Sequence, residues 1–309
     1  MAISYKNLFA LMERRGITKT ELQKKLRLSS ATIAKLAKNE YISMKVVEQI
    51  CDLLKCEVSE IISFNRGLSK HLILDMLLEE KKMQLKNGLY HQTQIKMAYN
   101  SNRIEGSQLT EDQTRYIYET NTIDAFNEAA NVDDIVETTN HFTCFNFMLD
   151  SAVDVLSEKI IKKYHEILKS GTSDSRKDWF EVGDYKKKPN YVGDMKTTAP
   201  SQVQDELARL LYNYNSFENI SIDEIVEFHW RLQRIHPFQD GNGRVGRMIM
   251  FKECLKNNII PFIIEDDKKL YYYRGLKEFE NEKGFLIDTC LAAQDIYKEL
   301  VSYFQDTIV

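Results

Sequence analysis

His236-Pro237-Phe238-Gln239-Asp240-Gly241-Asn242-Gly243-Arg244-Val245-Gly246-Arg247 is the most informative run in this sequence. An imidazole titrates near neutrality, so His236 can take a proton from an attacking hydroxyl at cellular pH and is the candidate general base. Mg²⁺ needs only one or two protein carboxylates when water and phosphate oxygens fill its other positions, which makes Asp240 the candidate metal ligand. Gly241 and Gly243 permit close backbone approach, and a helix starting near Gly243 points free N–H groups and its positive end at the turn. Arg244 and Arg247, three apart on that helix, offer guanidinium forks suited to phosphate oxygens. Loop and helix together read as a triphosphate site.

The chain around this run predicts an all-α architecture in two domains, since 309 residues exceed one ordinary core and hold only 12 Gly and 4 Pro, with 28% charged residues. Cut at Arg66, the first segment carries 12 Lys and Arg against 7 Asp and Glu, and the remainder 30 against 39. The two parts are therefore expected to meet different partners. The cysteines, Cys51, Cys56, Cys144, Cys254 and Cys290, are odd in number, form no Cys-x-x-Cys pair and lie in apolar helical stretches. They read as free thiols of a reducing compartment. No apolar start resembles a signal peptide and no apolar run would span a bilayer, so the expectation is a cytoplasmic protein with no membrane partner.

Residues 1–66 read as five short helices. Thr18 with Glu21 has the spacing of a capping box for the second, and Ser29, Ser43 and Ser59 start the next three. On the third, Ile33, Leu36 and Ala37 form an inward stripe while Ser30, Thr32 and Lys35 face out. The string from 18 to 62 resembles a helix-turn-helix of the Cro/repressor type, which implies DNA as partner, with Ser30, Thr32 and Lys35 on the face that suits the major groove and Lys24, Lys25, Lys35 and Lys38 available to phosphates. A helical module for protein contacts with a solvated basic face is the alternative. Residues 67–86 follow as an amphipathic helical linker.

The run 236–247 matches the Fic family signature, His-Pro-Phe-x-Asp/Glu-Gly-Asn-Gly-Arg-x-x-Arg, at every specified position. The resemblance makes residues 87–309 a Fic domain: a helical bundle with a short β-hairpin flap at 180–200 and the active-site loop at 236–247. It implies a nucleotidyltransferase, specifically a protein adenylyltransferase that moves AMP from ATP, with Mg²⁺, to a Ser, Thr or Tyr hydroxyl of a target protein or of the chain itself (AMPylation). His236 would be catalytic and Asp240 would hold the metal. ATP would meet Asp240, Gly241, Asn242, Gly243, Arg244, Val245, Gly246 and Arg247 on the loop and helix, and Asn190, Tyr191, Val192 and Gly193 on the flap, whose backbone would align the target segment. Tyr272 and Tyr273 resemble the paired tyrosines beside the adenine.

Upstream, Ser101-Asn102-Arg103-Ile104-Glu105-Gly106 resembles the family's inhibitory motif (101–106), Ser/Thr-x-x-x-Glu-Gly/Asn, in which Ser101, Glu105 and Gly106 are the specified positions and Glu105 would pair with Arg247, denying the γ-phosphate its partner. The resemblance also suggests a homodimer. His141, His165 and His229 are expected to be core residues. Lys186 replaces an arginine common in the family. Two other readings stay open: transfer of UMP, phosphocholine or phosphate by the same fold, or a transcriptional regulator that senses a nucleotide without turning it over.

Overall fold

The caps written into the sequence are the caps the helices use. In the computed structural model, which describes residues 2–65, 71–123 and 130–305, the Thr18 hydroxyl accepts the Glu21 amide while the Glu21 carboxylate accepts the Thr18 amide, closing the capping box of α2 (Lys19–Leu26). Ser29 caps α3 (Ser30–Ala37) and Ser43 caps α4 (Met44–Leu54) by the hydroxyl alone, which accepts the N–H of Thr32 and of Val46. With α1 (Lys6–Arg14) and a four-residue α5 (Val58–Ile61), these make the expected five helices. Leu8, Leu22, Leu36 and Ile50 meet at their centre with no exposed surface, each contributing on the order of 1.5–3 kcal/mol.

Three details of this first unit differ from expectation. α5 begins at Val58 behind Glu57, because Glu57 and Glu60 make the capping box and Ser59 already lies inside the helix. Ala37 is exposed, and the inward stripe of α3 is Ile33 and Leu36. A two-stranded antiparallel pair, β1 (Ala2–Ser4) with β2 (Ser63–Asn65), ties the two ends of the unit together in the register Ile3 to Phe64; three-residue strands have no period for a sequence pattern to display.

The chain divides into two compact units, Met1–Lys70 and His71–Val309. The expected boundary at Arg66 and the first residues of the linker, 67–70, lie outside the described residues. The rest of the segment expected as a linker forms α6 (Leu72–Met83), which buries Leu74 and Leu77 against α7 (Leu89–Ile104) and α9 (Val132–Asp150) and so belongs to the second unit.

That unit is built around α13 (Asn242–Lys256). Thirteen of its fifteen residues are buried, because α7, α9, α10 (Glu158–Lys169) and α12 (Ile222–Ile235) all pack on it. Val245, Met248, Ile249 and Phe251 fill the core. Gly246 lets α12 come close: a Cβ there would sit 2.5 Å from His229 Nδ1. α8 (Glu111–Thr120), α11 (Val203–Asn215), α14 (Lys269–Glu278) and α15 (Gly284–Gln305) complete the bundle. The expected hairpin is present in short form, as β3 (Tyr191–Val192) and β4 (Met195–Lys196) paired through a two-residue turn in which Gly193 takes φ 56°. No helix among the described residues is long and apolar enough to cross a membrane. All five cysteines are free.

Burial holds four histidines of this unit neutral. His141, His165 and His229 are pushed down to about 3 and His236 to about 4, chiefly by loss of water and secondarily by nearby cations. The unfolded chain takes up these protons near 6.5 while the native state refuses them, so stability is fully present above that value and is lost as pH falls towards 4. Each histidine adds about 1.4 kcal/mol per pH unit to the slope. Urea unfolding should therefore show the midpoint dropping steeply between pH 6.5 and 5, and a midpoint unchanged over that range would contradict the burial of these rings.

Candidate active site

α12 ends one residue before the motif. His236 is its C-terminal residue in left-handed conformation (φ 50°), its N–H still bonded to the Leu232 carbonyl at 2.8 Å, and this turn throws the imidazole out of the helix line. The next residues anchor the loop. Phe238 is fully buried and stacks on His165 at 4.0 Å with the rings parallel, while His165 Nδ1 accepts the Gly183 N–H at 2.9 Å on the approach to the flap. Asn242 closes the turn: its Oδ1 accepts the Phe238 N–H and its Nδ2 donates to the Phe238 carbonyl, both at 2.9 Å. Gly241 takes φ 78° as the N-cap of α13, a conformation that favours glycine.

His236 is flanked by two amides. Asn190 Nδ2 and Asn242 Nδ2 each lie 3.0 Å from its Nδ1. The carbonyl oxygens of both amides are taken by other donors, so both NH₂ groups face the ring, and Asn242 Nδ2 also lies 3.2 Å from its Nε2. Burial and the Lys186 ammonium lower His236 to about 4, against Asp240 and Glu105, which act to raise it. The ring is a free base at neutral pH.

Asp240 sits at the mouth of the turn with its side chain 47% exposed. Burial would raise its pKa, but Arg244 and Lys169 hold the carboxyl well below the usual range. Both cations engage one oxygen, Oδ2: Lys169 Nζ at 2.7 Å and Arg244 Nη2 at 3.2 Å. Lys169 also reaches Glu137 at 2.6 Å and Asp174 at 3.2 Å, and Arg244 pairs with Glu137. Among the described residues no group of three His, Cys, Asp or Glu could hold a metal ion. The donor set therefore fits Mg²⁺ held by one ionised carboxylate with phosphate oxygens and water, not a cage made by protein alone.

Arg247 is buried one turn further along α13. Its Nη2 donates to Glu105 Oε1 at 2.6 Å and to the Ser101 carbonyl at 2.8 Å, and its Nε donates to Ser101 Oγ at 3.0 Å. Burial works against its charge, and Glu105 raises its pKa in spite of that. Gly243 makes the pairing possible, since a Cβ at that position would sit 2.1 Å from Glu105 Oε1. Tyr273 holds the same helix end through its hydroxyl, which donates to the Ile104 carbonyl at 2.8 Å.

These groups open on one cleft of about 810 Å³. Its lining includes His236, Asp240, Gly241, Asn242, Gly243 and Arg247 from the motif, Val192 and Gly193 from the flap, Glu105, and Tyr272 and Tyr273. Other expected contacts lie elsewhere. Val245 is in the core and Gly246 faces His229, because a helix buried on all sides can turn only part of its circumference to the cleft. Arg244 points at Glu137 and Asp240. Tyr191 is 65% exposed on the outer side of the hairpin, and Asn190 reaches His236 without lining the cleft. His229 is buried as expected but bonds the Tyr272 hydroxyl at 2.7 Å, so it supports a cleft wall.

Sequence reading missed Lys169 and Glu137 entirely, along with Trp230, Gln233, Asp194 and Met195 in the lining. A signal for Lys169 existed: it continues the spacing of Ile161 and His165 along the apolar stripe of α10, where a lysine is out of place. In the first unit Ser30 and Lys35 are exposed on α3, and Thr32 is half-buried with its hydroxyl 2.9 Å from that of Ser29.

Residues 155–254 match the Fic/DOC family, and residues 7–67 match the Cro/C1-type HTH DNA-binding domain. The protein adenylyltransferase Fic of Drosophila virilis is 27% identical over 188 residues, 58% of this chain and 36% of that protein. The chain thus matches about a third of the length of such relatives. Among solved structures, a Fic domain containing signaling protein from Bacteroides thetaiotaomicron is 24% identical with a TM-score of 0.58, covering 77% of this chain and 89% of that one. Fic-1 from C. elegans, at 16% identity, has a TM-score of 0.57 over 92% of this chain and 82% of its own. At those identities the likeness is one of fold. Motif, bundle and family match agree in likening residues 155–254 to the Fic/DOC family and residues 7–67 to the Cro/C1-type HTH DNA-binding domain.

Proposed function

We propose that the Fic domain transfers AMP from ATP to a hydroxyl of a protein target and that Glu105 holds this activity down. The observation that carries the reading is the single cleft with a neutral imidazole, an ionised carboxylate and a buried guanidinium in which Glu105 occupies the guanidinium. Adenine would lie towards Tyr272 and Tyr273, and the triphosphate along the N-terminus of α13, whose free N–H groups favour anions. The oxygen of a Ser, Thr or Tyr hydroxyl attacks the α-phosphorus, and its proton passes to the His236 lone pair. The new P–O bond forms as the bond from the α-phosphorus to the α,β-bridging oxygen breaks, and pyrophosphate leaves. Mg²⁺ on Asp240 would supply charge neutralisation to the α- and β-phosphates. Arg247 would take the γ-phosphate, a partner it can accept only when Glu105 withdraws. The exposed edge of the β3–β4 hairpin offers backbone groups for alignment of an extended target segment.

A second role rests on the helix-turn-helix match: DNA binding by residues 1–66, with Ser30, Thr32 and Lys35 towards bases. The two roles are compatible in one chain. The DNA role is tested by binding of the full chain to its own promoter fragment between 50 and 200 mM salt. Replacing Lys35 with Ala should weaken binding and flatten the salt dependence by about one counterion if Lys35 meets a phosphate, or relax sequence preference if it meets a base. Binding that ignores both salt and Lys35 would remove DNA from the account.

The transfer is tested with ATP labelled on the α-phosphate. Glu105→Gly should raise label on protein on the order of tenfold or more over wild type, the size expected when a competitor leaves one strong phosphate contact. The double variant Glu105→Gly, His236→Ala should abolish the label. If the variant binds ATP and labels nothing, AMP transfer is wrong; parallel runs with UTP, a phosphocholine donor and γ-labelled ATP then separate the other donors.

A further inference from the structure

The last turn of α7 is gripped from outside the cleft. Ser101 and Glu105, four apart, share the face that meets Arg247. Asn100 and Arg103, three apart, share a different face and meet the chain just ahead of α14. Asn100 is 5% exposed; its Oδ1 accepts the Asp266 N–H and its Nδ2 donates to the Lys96 carbonyl, both at 2.9 Å. Asparagine favours caps and turns over helix interiors, and a buried one needs partners for both ends of its amide. Arg103 Nε lies 3.7 Å from Asp266 Oδ2, and its Nη1 donates to the Ser107 carbonyl at 2.7 Å. Its guanidinium thus joins Asp266 to the chain beyond Glu105 and Gly106.

Asp266 is the other half of this tie. It opens a single 3-10 turn (Asp266–Lys268) that runs directly into α14, and its carboxylate also meets Lys269 Nζ at 3.0 Å. On α14 itself, the Tyr273 hydroxyl holds the Ile104 carbonyl. One short stretch, 266–273, therefore grips α7 at Asn100, Arg103 and Ile104. Glu105 and Gly106 lie just past the helix, with their N–H groups on the Asn102 and Arg103 carbonyls at 3.1 Å and Gly106 at φ 106°. A helix end of this kind frays unless it is fastened from outside. None of Asn100, Arg103 and Asp266 lines the cleft.

We infer that Asn100 and Arg103 are positioning residues for Glu105: through Asp266 they tie the last turn of α7 to the segment that enters α14, and this tie helps to keep the carboxylate in the phosphate turn. The inference rests on the reading of Glu105 as the competitor of a terminal phosphate. When a phosphate takes Arg247, Glu105 must withdraw, and the tie sets how much that costs. Because α14 also carries Tyr272 and Tyr273, the proposed base end of the cleft and the Glu105 turn share one support.

The test has two arms, so that failure of the inference and failure of the Glu105 reading look different. In the first, hydrogen exchange of the full chain is followed at the amides of Glu105, Gly106 and Ser107 in wild type, Asn100→Ala and Arg103→Ala. Exchange there should quicken several-fold in both variants, with the amides of α12 unchanged. In the second, calorimetry compares ATP and AMP. Each substitution should tighten ATP about two- to tenfold, the worth of one hydrogen bond that favours the closed state, and leave AMP nearly unchanged. In the Glu105→Gln background neither should tighten ATP further, because the tie then holds nothing that competes. A merely structural role would change both nucleotides, or would persist without the glutamate, and either result would overturn the inference. Unchanged exchange at 105–107 in both variants would overturn it as well. If Glu105→Gln tightens ATP and the two substitutions do not, the side chain withdraws by rotation alone and the tie plays no part. If Glu105→Gln itself leaves ATP unchanged, the Glu105 reading fails, and the exchange arm alone decides whether Asn100 and Arg103 hold the turn. Arg103 is partly exposed, so Arg103→Ala keeps the test open should Asn100→Ala fold poorly.

Discussion

Two guanidinium groups buried at the N-terminus of α13 set the terms for everything around them. An ion taken out of water is tolerated only with partners, and removing one partner from a buried pair costs several kcal/mol, about 3–5. Arg244 is paired with Glu137 and Asp240. Arg247 is satisfied by Glu105 and the Ser101 carbonyl, both at the end of α7. Because Gly243 has no side chain, that carboxylate reaches deep into the phosphate turn. The same constraint makes the pair replaceable: a terminal phosphate offers Arg247 an anion of equal kind, and whichever anion is present excludes the other. The proposed inhibition by Glu105 would then be a property of a buried charge that must always have a partner.

The rest of the domain can be read as support for that helix end. α12 and α13 approach closely at Gly246, which places His236 on one side of the turn and Arg247 on the other. The stack of His165 on Phe238, the clasp of Asn242 on Phe238 and the Lys169 bridge to Asp240 fix the loop between them. Tyr273 and Ser101 then join the end of α7 to the same cleft. The site is tied by hydrogen bonds at its centre and exposed at the hairpin, as the proposed transfer from a nucleotide to a second chain would require.

How much of this the sequence disclosed depended on whether a feature was local. The motif loop was legible because base, carboxylate, glycines and arginines lie within twelve residues, and the helix starts were legible because a capping box spans only four. The Glu105 to Arg247 pair was legible only through resemblance, since 142 positions separate the partners. The β1–β2 pair was invisible, as two three-residue strands at opposite ends of a unit carry no pattern. Val245 and Gly246 were assigned to the nucleotide because they lie inside the motif, but a helix packed on four sides turns them into the core. Lys169 was passed over as one lysine among many, although its place on the apolar stripe of α10 was a clue. Its meaning came only when three dimensions brought Asp240, Glu137 and Asp174 to it.

The central claim is that Glu105 and the terminal phosphate compete for Arg247, and calorimetric binding of ATP and of AMP to wild type and Glu105→Gln tests it most directly. The account predicts that the substitution tightens ATP by about tenfold or more, the worth of one charge-assisted contact regained, and leaves AMP, which lacks a γ-phosphate, nearly unchanged. Equal effects on both nucleotides, or none on either, would contradict it.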